Sequence, residues 1–297
     1  MEHASERPEV APNAVTTAIL SLSEQPGQGK AALAKEIVDN LHRNGWLYLT
    51  NHGISDELIT EAFSTAKALA KLDNEAPPPA TEVRESYNYF PYAEQKFPKK
   101  ELPDFAPAMA ALFKAAYNLS LELLELIIVG LELPLDQAEV LRTAHSLVGT
   151  EKSNTKMRLL WYPPAKSDAA ASRLGTHSDY GTITVLFQDQ TGGLEAQNRD
   201  GRWTTVKPLS ATGKGGAVLI QLGDMFQHWT SGRLHSSKHR VQLTNPAQAG
   251  ATRQSIAFFL HPNDDHLISQ LNGQKSDRDI TMGDFLKNRF SISYGSD

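Results

Sequence analysis

His177 and Asp179 stand one residue apart, His239 follows well downstream, and Arg253 and Ser255 open an apolar run nearer the C-terminus. Two imidazole nitrogens and one carboxylate oxygen can hold one face of a non-haem Fe(II) and leave the other face open for substrate and O2. Each of these residues falls in an extended-looking stretch: Thr176 to Phe187, His239 to Leu243, and the run through Ser255 to Leu260. Strand side chains alternate between faces, so His177 and Asp179 are expected to point the same way, as are Arg253 and Ser255. A His-x-Asp pair alone is weak in a chain with ten histidines, and a lone histidine in an apolar strand is more often an ordinary core residue. The ordered combination on strands carries the signal.

The elements that must position these residues divide the chain in two. The front is helical: Lys30 to Asn44 places Leu33, Ile37, Val38 and Leu41 on one face, with Gly45 as its stop. Helices are also expected from Leu58 to Leu69 after a Ser55 cap, from Phe105 to Leu131, and from Asp136 to His145. Short strands are expected at Val15 to Leu22 and Trp46 to Thr50, and the aromatic segment Arg84 to Phe97 reads as a loop. From Met157 onward short β segments dominate, separated by Gly, Asp and Pro turns, and Met282 to Arg289 closes the chain as a helix. The pattern predicts an α+β fold, a double-stranded β-helix (jelly-roll) core braced by N-terminal helices. Residues 1–14 are expected to be a flexible tail, 15–150 a mainly helical region, and 151–297 the jelly-roll core, with the last two forming one structural unit.

Bulk properties narrow the function. The net charge of −5 is spread without a basic face, which argues against a nucleic-acid substrate. The absence of cysteine excludes disulfides and thiolate metal sites and fits a reducing cytoplasm. The most apolar stretch, Leu119 to Leu133, is interrupted by Glu122, Glu125 and Glu132, so no membrane span is expected. A soluble, cytoplasmic protein acting on a small molecule is the expectation.

Longer motifs surround the candidate ligands. They are Gly175-Thr176-His177-Ser178-Asp179-Tyr180-Gly181-Thr182, Gly192-Gly193-Leu194-Glu195, Asp200-Gly201-Arg202-Trp203, Trp229-Thr230-Ser231-Gly232, His239-Arg240-Val241 and Arg253-x-Ser255. With Asn44-Gly45-Trp46-Leu47-Tyr48-Leu49-Thr50-Asn51-His52-Gly53-Ile54 near the N-terminus, the chain resembles the isopenicillin N synthase-like family of Fe(II)/2-oxoglutarate-dependent dioxygenases over nearly its whole length. The resemblance implies that His177, Asp179 and His239 ligate Fe(II), and that 2-oxoglutarate and O2 are cosubstrates. It also implies that Arg253, Ser255 and Tyr162 bind 2-oxoglutarate, and that a substrate C–H bond is oxidised with release of succinate and CO2. A guanidinium fork matches the distal carboxylate, and a hydroxyl on the same face adds a donor.

One position departs from the family pattern. The usual Asn-x-Tyr is Leu160-Trp161-Tyr162 here, which removes a polar contact and makes that wall apolar. Leu160, Arg158, Phe259, His261, Tyr87 and Tyr89 are the candidates for the substrate pocket, the two tyrosines as a lid. Two rivals stand beside this reading. One is an Fe(II) oxidase of the same family that does not use 2-oxoglutarate; the other is a non-catalytic ligand-binding module on the same fold.

Overall fold

The computed structural model describes residues 18–23, 29–72, 84–93, 97, 99–164, 172–209, 216–243, 248, 250–272 and 280–294. The proposed tail at 1–14 lies outside them. Six helices among the described residues are α1 (Lys30–Arg43), α2 (Asp56–Leu72), α3 (Phe105–Gly130), α4 (Leu135–Thr143), α5 (Asp224–Trp229) and α6 (Met282–Tyr294). The strands are β1 (Ile19–Ser21), β2 (Trp46–Thr50), β3 (Glu85–Tyr89), β4 (Lys156–Tyr162), β5 (Ser172–His177), β6 (Ile183–Gln188), β7 (Leu194–Gln197), β8 (Trp203–Thr205), β9 (Val218–Leu222), β10 (His239–Gln242), β11 (Arg253–Leu260), β12 (Leu267–Ile268) and β13 (Ile280–Thr281).

β4 and β11 show why the architecture has two layers. Their even and odd positions separate by environment: Ile256, Phe258 and Leu260 turn to the helices with Met157 and Leu159, while Ser255, Ala257 and Phe259 turn inward with Leu160 and Tyr162. These strands lie in a seven-stranded sheet of order β1-β2-β9-β6-β11-β4-β3. A four-stranded sheet, β5-β10-β7-β8, covers its inner face. Trp46, Tyr48, Leu186 and Leu219 from the large sheet meet Leu194, Ala196 and Val241 from the small one, which is the interior of a double-stranded β-helix.

The helices cover the outer face of the large sheet. α3 is rich in Ala and Leu, and its one proline, Pro107, sits in the first turn, where no intrahelical donor is lost. Phe113 of α3 meets Phe258 edge-on at 5.1 Å between ring centroids, an aromatic contact worth about 0.5–1.5 kcal/mol beyond burial. β1, β2 and β3 come from the N-terminal region yet pair within the large sheet, so its hydrogen bonds cross the expected boundary at residue 150.

The segment Arg84 to Phe97 differs from its expected loop character. Glu85–Tyr89 is a strand because every second residue, Tyr87 and Tyr89, finds an apolar surface to cover.

His145 joins the helical layer to the segment that follows β5. Its Nδ1–H donates to the Leu141 carbonyl at 2.8 Å, and Nε2 accepts from Thr182 Oγ1 at 2.9 Å. Burial, outweighing the hydrogen bond to Leu141, lowers its pKa to about 4. The unfolded chain therefore takes a proton near pH 6.5 that the folded protein refuses until about pH 4. This group makes stability fall as pH drops through that window. His145→Asn should lower stability at neutral pH and flatten its loss between those values in urea denaturation; an unchanged slope would contradict the assignment.

Candidate iron and 2-oxoglutarate site

The last residue of β5, His177, is the register partner of the first residue of β10, His239. Their rings lie 4.2 Å apart between centroids, inclined at 58°. Asp179 is in the turn after β5, and its Oδ1 is 3.8 Å from His239 Nε2. One donor atom from each of the three residues lies within 4.8 Å of the others, a cluster without a rival among the described residues. The expected ligands are brought together, although not by strand alternation, because β5 ends at His177. The turn from Asp179 to Gly181 returns the carboxylate to the histidines. Gly223 allows this: a Cβ there would collide with the Gly181 carbonyl, and the Asp224 N–H donates to the Asp179 carbonyl at 2.8 Å.

Both imidazoles are oriented by backbone carbonyls. His177 Nδ1 is 2.9 Å from the Gly175 oxygen and His239 Nδ1 is 3.1 Å from the Ser237 oxygen. A carbonyl only accepts, so each Nδ1 carries the hydrogen and each Nε2 offers a lone pair. Desolvation first, then the neighbouring His239, lowers the His177 pKa to about 4, which keeps it in the neutral, ligating form. Thr184 Oγ1 donates to Asp179 Oδ2 at 2.7 Å and leaves Oδ1 toward the histidines. A hydroxyl in this role is worth about 10–100-fold in metal affinity. Thr184→Val should weaken Fe(II) binding by that range in a chelator competition, and wild-type affinity would contradict the role.

The second cluster lies at the other end of β11. Arg253 is 1% exposed. Its Nη1 donates to Ser255 Oγ at 3.2 Å and its Nη2 to Gln188 Oε1 at 3.3 Å, while Nε has no partner among the described residues. Tyr162 is the register partner of Arg253, with the guanidinium carbon 5.0 Å from its ring centroid. The Tyr162 hydroxyl is buried and also without a partner among the described residues. No carboxylate among the described residues pairs with Arg253. A buried guanidinium in that condition is costly, and the cost is removed when an anion binds.

Between these clusters the wall is apolar: Leu160 pairs with Ser255, and Leu186 and Ala257 lie in the same interior. At the end of β11 nearer the His177, Asp179 and His239 cluster, Phe259 borders the interior and is the register partner of Lys156. His261 is buried, 6.4 Å from Phe259 between ring centroids, with its pKa held well below the ordinary value by burial and then by the Lys156 charge. Arg158 Nε donates to Asn88 Oδ1 at 2.8 Å, and no carboxylate among the described residues pairs with it.

Tyr87 and Tyr89 do not line this space. Tyr87 packs edge-on against Phe105 at 5.6 Å, and Tyr89 is buried against Phe113. Strand alternation turns both toward the helices and gives the inner face to Ser86 and Asn88, so the expectation of a tyrosine lid is corrected. The sequence reading also passed over Lys156, Thr184 and Gln188. Lys156 had a visible signal, since it stands two residues before Arg158 on one strand. Thr184 and Gln188 gain their roles only when β6 is paired.

The donor set fits iron and a dicarboxylate cosubstrate, and the comparisons agree. The profile of the 2OG-Fe(II) oxygenase superfamily matches residues 145–262, and that of the non-haem dioxygenase N-terminal region, named for morphine synthesis, matches 18–106. A 2-oxoglutarate-dependent dioxygenase of Dothideomycetidae sp. (strain 11243) is 32% identical over 80% of this chain and 82% of its own. A proline hydroxylase of Petromyces alliaceus is 28% identical over 84% of this chain and 88% of its own. The crystal structure of a full-length Neurospora crassa protein in complex with alpha-KG superimposes with a TM-score of 0.80 at 24% identity, covering 96% of this chain and 98% of that one. The chain belongs to the Fe(II)/2-oxoglutarate-dependent dioxygenases. It is thus an oxidoreductase that uses Fe(II), 2-oxoglutarate and O2. No helix among the described residues is long and apolar enough to cross a membrane.

Proposed function

We propose that His177, Asp179 and His239 hold the Fe(II), that Arg253, Ser255 and Tyr162 hold the distal carboxylate of 2-oxoglutarate, and that the enzyme hydroxylates a small molecule bearing an acidic group. The observation that carries the cosubstrate assignment is the buried Arg253 guanidinium, which among the described residues has no carboxylate partner and lies beside a Tyr162 hydroxyl that has none either. Iron and 2-oxoglutarate held by these residues would supply O2-dependent oxidation of a substrate C–H bond, one oxygen atom going to the substrate and the other to succinate as CO2 is lost.

The protein's own residues define the rest. The Gly175 and Ser237 carbonyls aim the imidazoles, and Thr184 aims the carboxylate. Leu160, Leu186 and Ala257 exclude water between the two clusters. Phe259 offers a flat wall beside His261, and Arg158 offers guanidinium N–H groups to an anion at the same end of β4 and β11. Similar proteins support a small substrate: one relative is named a proline hydroxylase, and the Neurospora crassa protein has been solved with thymine. A small-molecule substrate free of nucleic acid, in the cytoplasm, remains part of this reading.

The test is a screen for substrate-stimulated succinate release that pairs carboxylic acids with their neutral amides. Acids should stimulate turnover, and Arg158→Ala should raise their KM by about tenfold, the value of a charge-assisted hydrogen bond. Equal stimulation by acids and amides would remove Arg158 and the acidic substrate class from the proposal.

A further inference from the structure

A second arginine is buried at the same end of the barrel as Arg253, and the cosubstrate reading above does not use it. Arg173 is 1% exposed. It stands at the end of β5 away from His177, next to Ser172, whose register partner Gln242 is the last residue of β10. Its Nη2 donates to three backbone carbonyls: Pro163 at 3.3 Å, Gln248 at 3.0 Å and Ala251 at 2.7 Å. Pro163 follows Tyr162, and Ala251 lies two residues before Arg253, so Arg173 is tied to both strands that carry the cosubstrate contacts. Its Nε and Nη1 are buried and have no partner among the described residues.

The charges around it sharpen the point. Burial, then the positive charge of Arg253, lowers the Arg173 pKa, and Asp189 and Tyr162 oppose the shift. Asp189 already accepts from two backbone amides, Thr191 N–H at Oδ1 and Gln254 N–H at Oδ2. No carboxylate among the described residues pairs with either arginine. At this end of the barrel Nε and Nη1 of Arg173, Nε of Arg253 and the Tyr162 hydroxyl are therefore all buried donors without a partner among the described residues. Backbone anchoring accounts for Nη2 of Arg173. It does not account for burying two further donors beside a like charge, which is unfavourable unless an anion arrives.

We propose that Arg173 is a second cationic anchor for the distal carboxylate of 2-oxoglutarate, acting beside Arg253. The inference rests on the assignment of Arg253 to that carboxylate. It makes Arg173 a determinant of cosubstrate choice: the enzyme is to discriminate strongly against 2-oxo acids that lack the second carboxylate. A second cationic donor also restricts how the keto acid's long axis pivots about Arg253.

The test compares binding of 2-oxoglutarate with binding of 2-oxopentanoate, which has the same carbon count and no distal carboxylate. Dissociation constants are measured by calorimetry on anaerobic, Fe(II)-loaded protein for wild type, Arg173→Met, Arg173→Gln and Arg253→Met. The ratio of the two constants does not depend on the fraction of competent protein, so it tolerates partial misfolding, and either Arg173 variant suffices if the other does not fold. Arg173→Met and Arg173→Gln are expected to weaken 2-oxoglutarate by about tenfold and leave 2-oxopentanoate unchanged. An unchanged ratio in a folded Arg173 variant, or equal weakening of both ligands, overturns the assignment and leaves Arg173 as a backbone clamp. If Arg253→Met shifts the ratio and the Arg173 variants do not, only the Arg173 inference fails. If Arg253→Met does not shift it either, the cosubstrate site itself is misplaced.

Discussion

Replacing His239 with alanine is expected to abolish turnover and to lower Fe(II) affinity by more than about 100-fold, the upper end of what an outer hydrogen-bond partner costs. The expectation follows from the donor arithmetic. Three protein atoms lie within 4.8 Å of one another, and removing one leaves a bidentate pair with no third side chain in reach among the described residues. The fold should survive, because His239 sits at the first position of β10 and its backbone pairs with β5 and β7 regardless of the side chain. Two neighbouring histidines supply the control. His228 and His235 each have a buried Nε2 without a partner among the described residues, yet neither belongs to the cluster. His228→Ala and His235→Ala should retain wild-type iron content by elemental analysis. Normal iron in folded His239→Ala, or loss of iron in either control, would move the metal elsewhere.

Arg253→Met is expected to raise the 2-oxoglutarate concentration for half-saturation by about 100-fold, while kcat at saturation changes far less. Truncating one partner of a buried, hydrogen-bonded charge pair costs about 2–5 kcal/mol, and each 1.4 kcal/mol is about tenfold. Arg253→Lys should recover little of this, because an ammonium cannot present two parallel donors. Stability should respond in the opposite sense. Without cosubstrate the wild-type guanidinium is buried and lacks an anion, so methionine there should leave the protein as stable or more so. Adding 2-oxoglutarate should then raise the melting temperature of wild type and not of the variant, since only a ligand that binds the native state stabilises it. A variant stabilised as much as wild type would show that the carboxylate is held by other residues.

Much of this site was legible in the sequence because its parts are local. Arg253 and Ser255 share a strand, so alternation alone places both inward, and the structure has them there. His177 and Asp179 lie together, though not through strand alternation: β5 stops at His177, and a close approach of Gly223 to Gly181 reshapes the turn. The strand β5 itself was unreadable beyond Thr176, because Ser172, Arg173 and Gly175 lack the apolar alternation of a half-buried strand. Tyr87 and Tyr89 misled for a related reason. Aromatic residues beside proline and charge suggest a loop, and only the presence of Phe105 and Phe113 on α3 turns them into a strand's buried face. Gln188 and Thr184 carried no signal at all. An inward threonine or glutamine is unremarkable until the pairing of β6 with β11 sets one beside Arg253 and the turn after β5 sets the other beside Asp179.

The helical front half illustrates the complementary case. The periodicity of α1 and α3 located both helices within a residue or two, because burying an apolar stripe against a sheet leaves a period that a single chain displays. Which sheet they cover is a tertiary property. β1, β2 and β3, contributed from the same half, complete that sheet, and no local pattern assigns them to it.

The most direct measurement is an anaerobic titration of metal-free protein with Fe(II) and 2-oxoglutarate, followed by visible absorption. A charge-transfer band that saturates at one equivalent of each, vanishes in His239→Ala and requires far more 2-oxoglutarate in Arg253→Met is the expected result. A folded, iron-loaded wild-type protein that shows no band at any 2-oxoglutarate concentration would contradict the placement of iron and cosubstrate in this barrel.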